Sequence, residues 1–532
     1  MKQPLRVDVS TLHDDLLATL VDEKVASRLG AQDATLWGHD AEPEASIRLS
    51  WVGLARSSRV LLAEIDALRA ELWGEGIDQV VLCGMGGSSL APEVISRTYD
   101  VPLAILDSTN PHVVTRAVEG DLQRTVVVVS SKSGGTLETD SQRRAFFSAF
   151  EAAGIDAASR LVAVTDPGSD LEKLARDAGY RRVFLADPHV GGRYSALTAF
   201  GLVPTGLAGV DVSELLDEAE AVMDVLATDS RDNPALLLAM AMAGDPARDK
   251  IVIADAESGI GGFADWAEQL VAESTGKQSR GVLPVALEGP DAPEIHQRAG
   301  DVTVAVIAPD EGAEVDAGDK PLVTVSGTLG AQMLVWETAT AVAGRILGIN
   351  PFDQPDVESA KLAARGLLGQ QPDQDVATIV DDDIEIRGSV GLLGEADSLG
   401  SAVDALLSKL DADGYVAVMA YLDAERDSAL HHIRRTLAKR TRRPVTFGWG
   451  PRFLHSTGQY HKGGPAQGVF VQITCDETSD LDIPDQPFSF GELIAAQAAG
   501  DAGVLADHDR PVLRLHLRDA TRGVPTLVDL LR

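Results

Sequence analysis

Cysteine is scarce: Cys83 and Cys475 are the only two among 532 residues, too few for a disulfide framework in a chain of this length. Both sit in apolar, strand-like runs, which predicts buried thiols. Long hydrophobic stretches are missing as well. No run of 18 or more apolar residues occurs, so neither a transmembrane helix nor a membrane partner is expected. The opening segment, MKQPLRVDVSTLHDD, turns acidic without an apolar core, and no secretory signal is expected. The cytoplasm fits these absences. Positive charge is the other shortage. Against 81 Asp and Glu stand 46 Lys and Arg, a net charge of −35, which works against nonspecific contact with nucleic acid or anionic membrane. Only eleven of the cations are lysines, so a lysine inside a Gly/Ser-rich loop stands out, and an anionic substrate needs such local cations. A G-x-x-x-x-G-K-[ST] spacing is absent, which leaves a nucleotide P-loop unsupported. No ligand cluster suggests a metal, and no cofactor is expected.

Hydrophobic residues make up 45% of the chain, the ordinary globular share, and the length allows two or three domains. Residues 1–75 read as helical, with polar–apolar patterning through VLLAEIDALRAELWG. From 76 to 205 short Val/Ile/Leu runs alternate with segments long enough for crossover helices: QVVLCG (79–84), VPLAILD (101–107), TVVVVS (125–130), LVAVTD (161–166) and RVFLAD (182–187). Without period-two alternation, such runs suit strands buried on both faces of a parallel sheet. The pattern predicts a doubly wound α/β domain. A second such set fills 206–368, with IVIAD (251–255), VLPVAL (282–287), VTVAVI (302–307) and PLVTVS (321–326). A Gln/Asp-rich stretch at 369–383 suggests a boundary, and 369–532 repeats the α/β alternation around a basic helix near 425–441.

Two loops stand out at strand-to-helix junctions. Gly84-Met85-Gly86-Gly87-Ser88-Ser89 follows the first run, where glycines permit close backbone approach to a ligand and a helix N-terminus attracts an anion. By itself it is equally a structural turn. Ser130-Ser131-Lys132-Ser133-Gly134-Gly135-Thr136 follows the third run and combines hydroxyls with one cation, a set that suits a phosphate monoester. Helix capping is the competing explanation, but a cap needs one or two hydroxyls rather than the five found from Ser130 to Thr139. Both loops would lie at carboxyl ends of sheet strands and converge on one crevice. Arg193, in Gly191-Gly192-Arg193-Tyr194-Ser195, is either a surface charge or an oxyanion stabiliser. Glu273 lies in the last turn of a helix ending at Gly276, where the negative end of the dipole favours the protonated form a general base must be able to take up. A solvated last-turn Glu is the alternative.

Together these segments resemble the phosphoglucose isomerase family. Gly86-Gly87-Ser88 is similar to its Gly-Gly-Ser loop, and Ser131-Lys132-Ser133 through Glu138-Thr139 to its phosphate loop. Residues 191–195 match its Gly-Gly-Arg-Tyr-Ser. Glu273-Ser274-Thr275-Gly276-Lys277, with Gln269 upstream, matches another motif, and Asn350-Pro-Phe352-Asp353-Gln354 through Val357-Glu358 and Lys361 a fifth. The resemblance implies two doubly wound, flavodoxin-like domains of the SIS type with parallel sheets, plus an extended α/β C-terminal region. It implies interconversion of glucose 6-phosphate and fructose 6-phosphate through a cis-enediol, without a metal. Glu273 moves the proton, Arg193 stabilises negative charge, and Gln269 and Gln354 position the sugar. Gly87, Ser88, Ser131, Lys132, Ser133 and Thr136 hold the phosphate. Lys361 and a histidine open the ring. The family places that histidine between the Glu and the Lys, where only His296 is available. The better local match is His455, in LHSTGQYHKGG, a motif displaced towards the C-terminus as in actinobacterial-type members and in the isomerase part of transaldolase–isomerase fusions. His461, in the same segment, reads as a second polar wall of the site or a surface imidazole. A homodimer is implied by the family. A dual phosphoglucose/phosphomannose isomerase and a noncatalytic sugar-phosphate-binding regulator are the other readings.

Overall fold

The computed structural model describes residues 4–368 and 377–530, with the backbone alone for 357–361. Strand β1 (Leu5–Val9) comes first in the chain. Strands β2 (Gln79–Gly84), β3 (Ala104–Leu106), β4 (Thr125–Ser130), β5 (Leu161–Thr165) and β6 (Arg182–Leu185) then form an all-parallel sheet ordered β3-β2-β4-β5-β6. Next come β7 (Lys250–Asp255), β8 (Leu283–Ala286), β9 (Val302–Ala308) and β10 (Leu322–Gly327), ordered β10-β9-β7-β8 and parallel, with β1 antiparallel on the β10 edge. The third sheet contains β11 (Ile379–Asp381), β12 (Ile384–Gly388), β13 (Tyr415–Ala420), β14 (Val445–Trp449), β15 (Gly468–Cys475) and β16 (Val512–Leu517). Its order is β11-β12-β16-β15-β13-β14, parallel from β16 to β14. In each sheet the parallel strands start in the middle and reverse direction of growth once. The reversal falls between β2 and β4, between β7 and β9, and between β13 and β15, and crevices form at such points.

The strands are apolar throughout because both faces are covered. Val80, Leu82, Val126 and Val128 of the first sheet share a core with Ile251, Ile253, Ala305 and Ile307 of the second. The alternate residues Val81, Cys83, Val127 and Val129 pack against Phe146 and Phe150 and against Phe490 and Leu493 from the C-terminal region. On the far face of the second sheet, Val252, Val304 and Val306 meet Tyr415, Ala417 and Met419 of the third. The middle sheet thus shares a core with each of its neighbours. Each fully buried Val, Leu or Ile contributes about 1.5–3 kcal/mol of transfer free energy.

Two readings of the sequence change, that of residues 5–9 and that of Cys475. Residues 5–9, read as part of a helical segment, are a strand: Leu5 and Val7 are buried while Arg6 and Asp8 face outward. The stretch read as a boundary holds β11, which hairpins with β12, while 369–376 lie outside the described residues. Cys83 is buried as expected, but Cys475 is only partly so. The basic helix, His431–Thr441, has a clear task in so acidic a chain. Buried Arg434 pairs with Glu288 and Glu294, and Arg443 just beyond it pairs with Asp301. These ion pairs join the third sheet's layer to the second's. Among the described residues no helix is long and apolar enough to cross a membrane.

Candidate active site

The reversal between β2 and β4 opens a cleft of about 620 Å³. Its floor is the pair of loops that follow those strands. Gly86 has φ +58°, and a Cβ there would stand 2.8 Å from both Gln269 Nε2 and the His455 carbonyl oxygen; one on Gly87 would stand 2.0 Å from the Gly192 carbonyl oxygen. Only glycine lets the β2 loop press against the Gly192-Arg193 turn. In the β4 loop, Ser131 Oγ donates to Thr136 Oγ1 (3.2 Å) and accepts from the Gly134 N–H (3.1 Å), while Ser133 Oγ accepts from the Gly135 N–H (3.1 Å). Ser88, Ser131, Lys132, Ser133 and Thr136 all line the cleft, and so does Asp166 from the loop after β5.

Gln269 and Glu273 of the helix Phe263–Thr275 and Gln354 of the segment 350–354 line the cleft as well. Glu273 is buried in the helix's last turn, its Oε2 accepting from Gln269 Nε2 (3.3 Å) and lying 3.9 Å from Arg193 Nη1. Arg193, only 3% exposed, spreads its fork across both elements: Nε donates to Ser274 Oγ (2.8 Å), Nη1 to Gln354 Oε1 (3.3 Å), and Nη2 to the carbonyls of Pro351 (2.6 Å) and Asp353 (3.1 Å). Lys277 grips the same segment through Asp353 Oδ1 (2.7 Å) and the Asp353 carbonyl (2.6 Å). Burial, reinforced by nearby Arg193, pulls the Lys277 ammonium down to about 8. The late Gln354 motif is therefore brought to Glu273 by two cations from earlier motifs.

His455 enters from the third sheet, on the turn after β14. It is 12% exposed, and its Nε2 lies 2.9 Å from Glu138 Oε1. Gln269 Nε2 donates to the His455 carbonyl (2.6 Å), which ties this turn to the helix bearing Glu273. Glu138 also accepts from Gln497 Nε2 (2.7 Å). A carboxylate at one ring nitrogen fixes the orientation of the ring and which nitrogen faces the cleft. The sequence shows Glu138 only as one letter of a motif; its distance along the chain from His455, 317 residues, hides the pairing.

His296 is exposed at the end of the short helix Pro293–His296 and is not among the residues around the cleft. Lys361 falls on the helix Val357–Leu367, but its side chain lies outside the described ones. His461 is neither a wall of the site nor a surface group. It is buried, with Nδ1 3.0 Å from Tyr415 Oη and its ring stacked on that tyrosine. Burial holds it neutral, its pKa lowered to about 3. An unfolded His takes up its proton near 6.5. Its contribution to stability is therefore complete above about pH 6.5 and drains as pH falls towards 3, by about 1.4 kcal/mol per pH unit. A His461→Gln variant, which cannot titrate, is expected to lose less melting temperature between pH 6.5 and 4.5 than the parent, measured by calorimetry at matched ionic strength.

A family model described as phosphoglucose isomerase matches residues 65–280. A glucose-6-phosphate isomerase of Thermosynechococcus vestitus is 32% identical over 361 residues, which are 56% of this chain and 67% of that protein. A protein of Haloarcula marismortui, named a probable glucose-6-phosphate isomerase, is 30% identical over 375 residues, 60% of this chain and 84% of that protein. The crystal structure of a glucose-6-phosphate isomerase from Chlamydia trachomatis shares the fold, with a TM-score of 0.56 at 20% identity over 69% of this chain and 90% of that one. The chain spans about two thirds of the length of several curated relatives that it matches.

Proposed function

Because the chain belongs to the phosphoglucose isomerase family, we propose that it interconverts glucose 6-phosphate and fructose 6-phosphate in the cleft between β2 and β4. The observation that carries this reading is the convergence of Glu273, Arg193 and His455 beside a hydroxyl-lined anion cradle. The hydroxyls of Ser88, Ser131, Ser133 and Thr136, the glycine-rich backbone around Gly87 and the charge of Lys132 receive the phosphate. His455, steadied by Glu138, assists ring opening by moving a proton at the ring oxygen, with Lys361 as its partner in the family pattern. Glu273 then removes the C2 proton of the open aldose and returns it to C1. Between the two transfers the cis-enediol is held as its enediolate, with its negative charge beside the Arg193 guanidinium, a proton passes from O2 to O1, and Gln269 and Gln354 orient the two oxygens. A cytoplasmic location and a homodimer belong to the same reading, taken from the family resemblance.

The test is direct. Purified protein in deuterated buffer should exchange the C2 hydrogen of glucose 6-phosphate and release fructose 6-phosphate, read by proton NMR and a coupled assay. Absence of both with intact folded protein rejects the assignment and returns the chain to the class of sugar-phosphate binders. Replacing Lys132 with Met should raise KM about tenfold to a hundredfold, the worth of one charge-assisted hydrogen bond, and change kcat less. Steady-state kinetics at fixed ionic strength separates the two.

A further inference from the structure

A buried polar chain runs from the cleft into the C-terminal region. Glu138 Oε1, 2.9 Å from His455 Nε2, also accepts from Gln497 Nε2 at 2.7 Å. The other end of that amide is fixed too, since Gln497 Oε1 accepts from the Thr109 hydroxyl at 2.6 Å. Gln497 is 4% exposed and Thr109 is fully buried. A carboxylate on one side and a hydroxyl on the other leave the amide one orientation, because reversing it would set its oxygen against Glu138. Thr109 lies on the loop after β3, and the Ser108 carbonyl beside it accepts from Gln142 Nε2 (2.9 Å), one turn beyond Glu138 on the helix Leu137–Ala152. Gln497 belongs to the helix Phe490–Asp507. One turn earlier, Leu493 shares the core of Val81 and Val127. One turn later, buried Asp501 accepts from buried Lys462 Nζ at 2.7 Å, and Lys462 is on the helix Gly458–Gly463 that follows the His455 turn. Positions 493, 497 and 501 share a face. One helix is thereby fixed to the first sheet, to the acid partner of His455 and to the segment bearing His455.

We propose that Gln497 is a positioning residue for ring opening: locked by Thr109, its amide holds the Glu138 carboxylate in line with His455 Nε2. A buried amide is unfavourable unless hydrogen-bonded, and here its N–H meets a buried carboxylate, whose charged form such a bond favours. Gln497 is not among the residues around the cleft, so it acts through Glu138 rather than on the sugar. The C-terminal region then supplies both the histidine and the group that sets the histidine's partner. This inference rests on the isomerase reading and on His455 as the ring-opening group.

The experiment is Gln497→Met, which keeps the length of the side chain and removes the donor. For glucose 6-phosphate, kcat should fall about tenfold to a hundredfold, the worth of one hydrogen bond to a charged group. KM should stay within about threefold of the parental value. Ring opening then limits turnover, so the effect on kcat of deuterium at C2 should approach one. In a His455→Ala background, with no imidazole to orient, the same substitution should cost less than about twofold. Thr109→Val should lower kcat by about threefold to tenfold, Thr109→Ser should restore most of it, and Thr109→Val should add nothing once Gln497 is Met. Should Gln497→Met fail to fold, the comparison of Thr109→Val with Thr109→Ser reads the same lock. Parental kcat in Gln497→Met, a C2-deuterium effect larger than the parental one, an equal loss in the His455→Ala background, or a Thr109→Ser variant no better than Thr109→Val overturns the positioning role while leaving the isomerase reading intact. A parent protein that neither turns over glucose 6-phosphate nor exchanges its C2 hydrogen overturns both.

Discussion

Glu273→Gln is expected to lower kcat by about 10³–10⁴-fold, the upper part of what one positioned general base supplies, with KM changed by a small factor. The substitution keeps shape and volume. The new amide can still meet the Gln269 side chain that now reaches Glu273 Oε2 at 3.3 Å, so the helix end stays in place. What is lost is a group able to take a proton from carbon and give it back. The proposed phosphate cradle is built from the β2 and β4 loops rather than from this helix, which is why binding survives. Stability should fall somewhat, because the neutral amide leaves the buried Arg193 guanidinium, 3.9 Å away, without the carboxylate that offsets its charge, although its hydrogen bonds to Ser274, Gln354, Pro351 and Asp353 persist. Turnover, C2-hydrogen exchange and thermal melting are the three measurements to make on the variant. Retention of more than a tenth of parental kcat would remove Glu273 from the chemistry.

The second large effect falls on Arg193. Replacing it with Lys should cut kcat by about 10²–10³-fold, the typical loss when one preorganised oxyanion donor is removed, and should also lower the melting temperature. The charge is kept, so the loss isolates geometry. Arg193 serves Ser274, Gln354 and the carbonyls of Pro351 and Asp353 at once, and the planar fork spans both elements. An ammonium has three donors on one atom and cannot reach them all. Buried carbonyls left unpaired cost about 1–3 kcal/mol each, and the segment bearing Gln354 loses one of its two cationic anchors. Lys277 retains the other through Asp353, so the fold persists and the kinetic loss is measurable. A lysine variant with parental kcat would show that Arg193 is a strut only.

The strands that can be read directly from residues are those buried on both faces. TVVVVS and VTVAVI leave no room for another interpretation, because every position meets a core. Strands β1, β11 and β12 escape that logic. They are short, mixed with charge, and sit at or beside the edges of their sheets. Leu-Arg-Val-Asp-Val becomes a strand only because β10, far along the chain, is there to receive it. The site divides in the same way. Groups clustered in a loop with glycines, such as Ser131, Lys132 and Thr136, announce themselves by composition. Glu138, Asp166 and Lys277 do not, since each acquires its meaning from a partner on another element. Histidine is the hardest case. His455 and His461 belong to one short segment, yet one faces a cleft and the other is sealed beside Tyr415. Only the packing around each ring separates them.

The antiparallel edge strand β1 has a consequence for how this chain is made. It leaves the ribosome before the other strands of the middle sheet, and its partner β10 is translated roughly 320 residues later, a wait of about 15–60 s at ordinary elongation rates. For that interval a strand with two buried-to-be apolar side chains is exposed to every other unfinished sheet in the cell. Arg6 and Asp8, bridged at 2.7 Å on its outward face, are the kind of charge that discourages adventitious pairing of an edge. Nascent chains stalled before β10 should therefore be the aggregation-prone species during synthesis, and the closing of the middle sheet by its oldest strand should be a late event of folding.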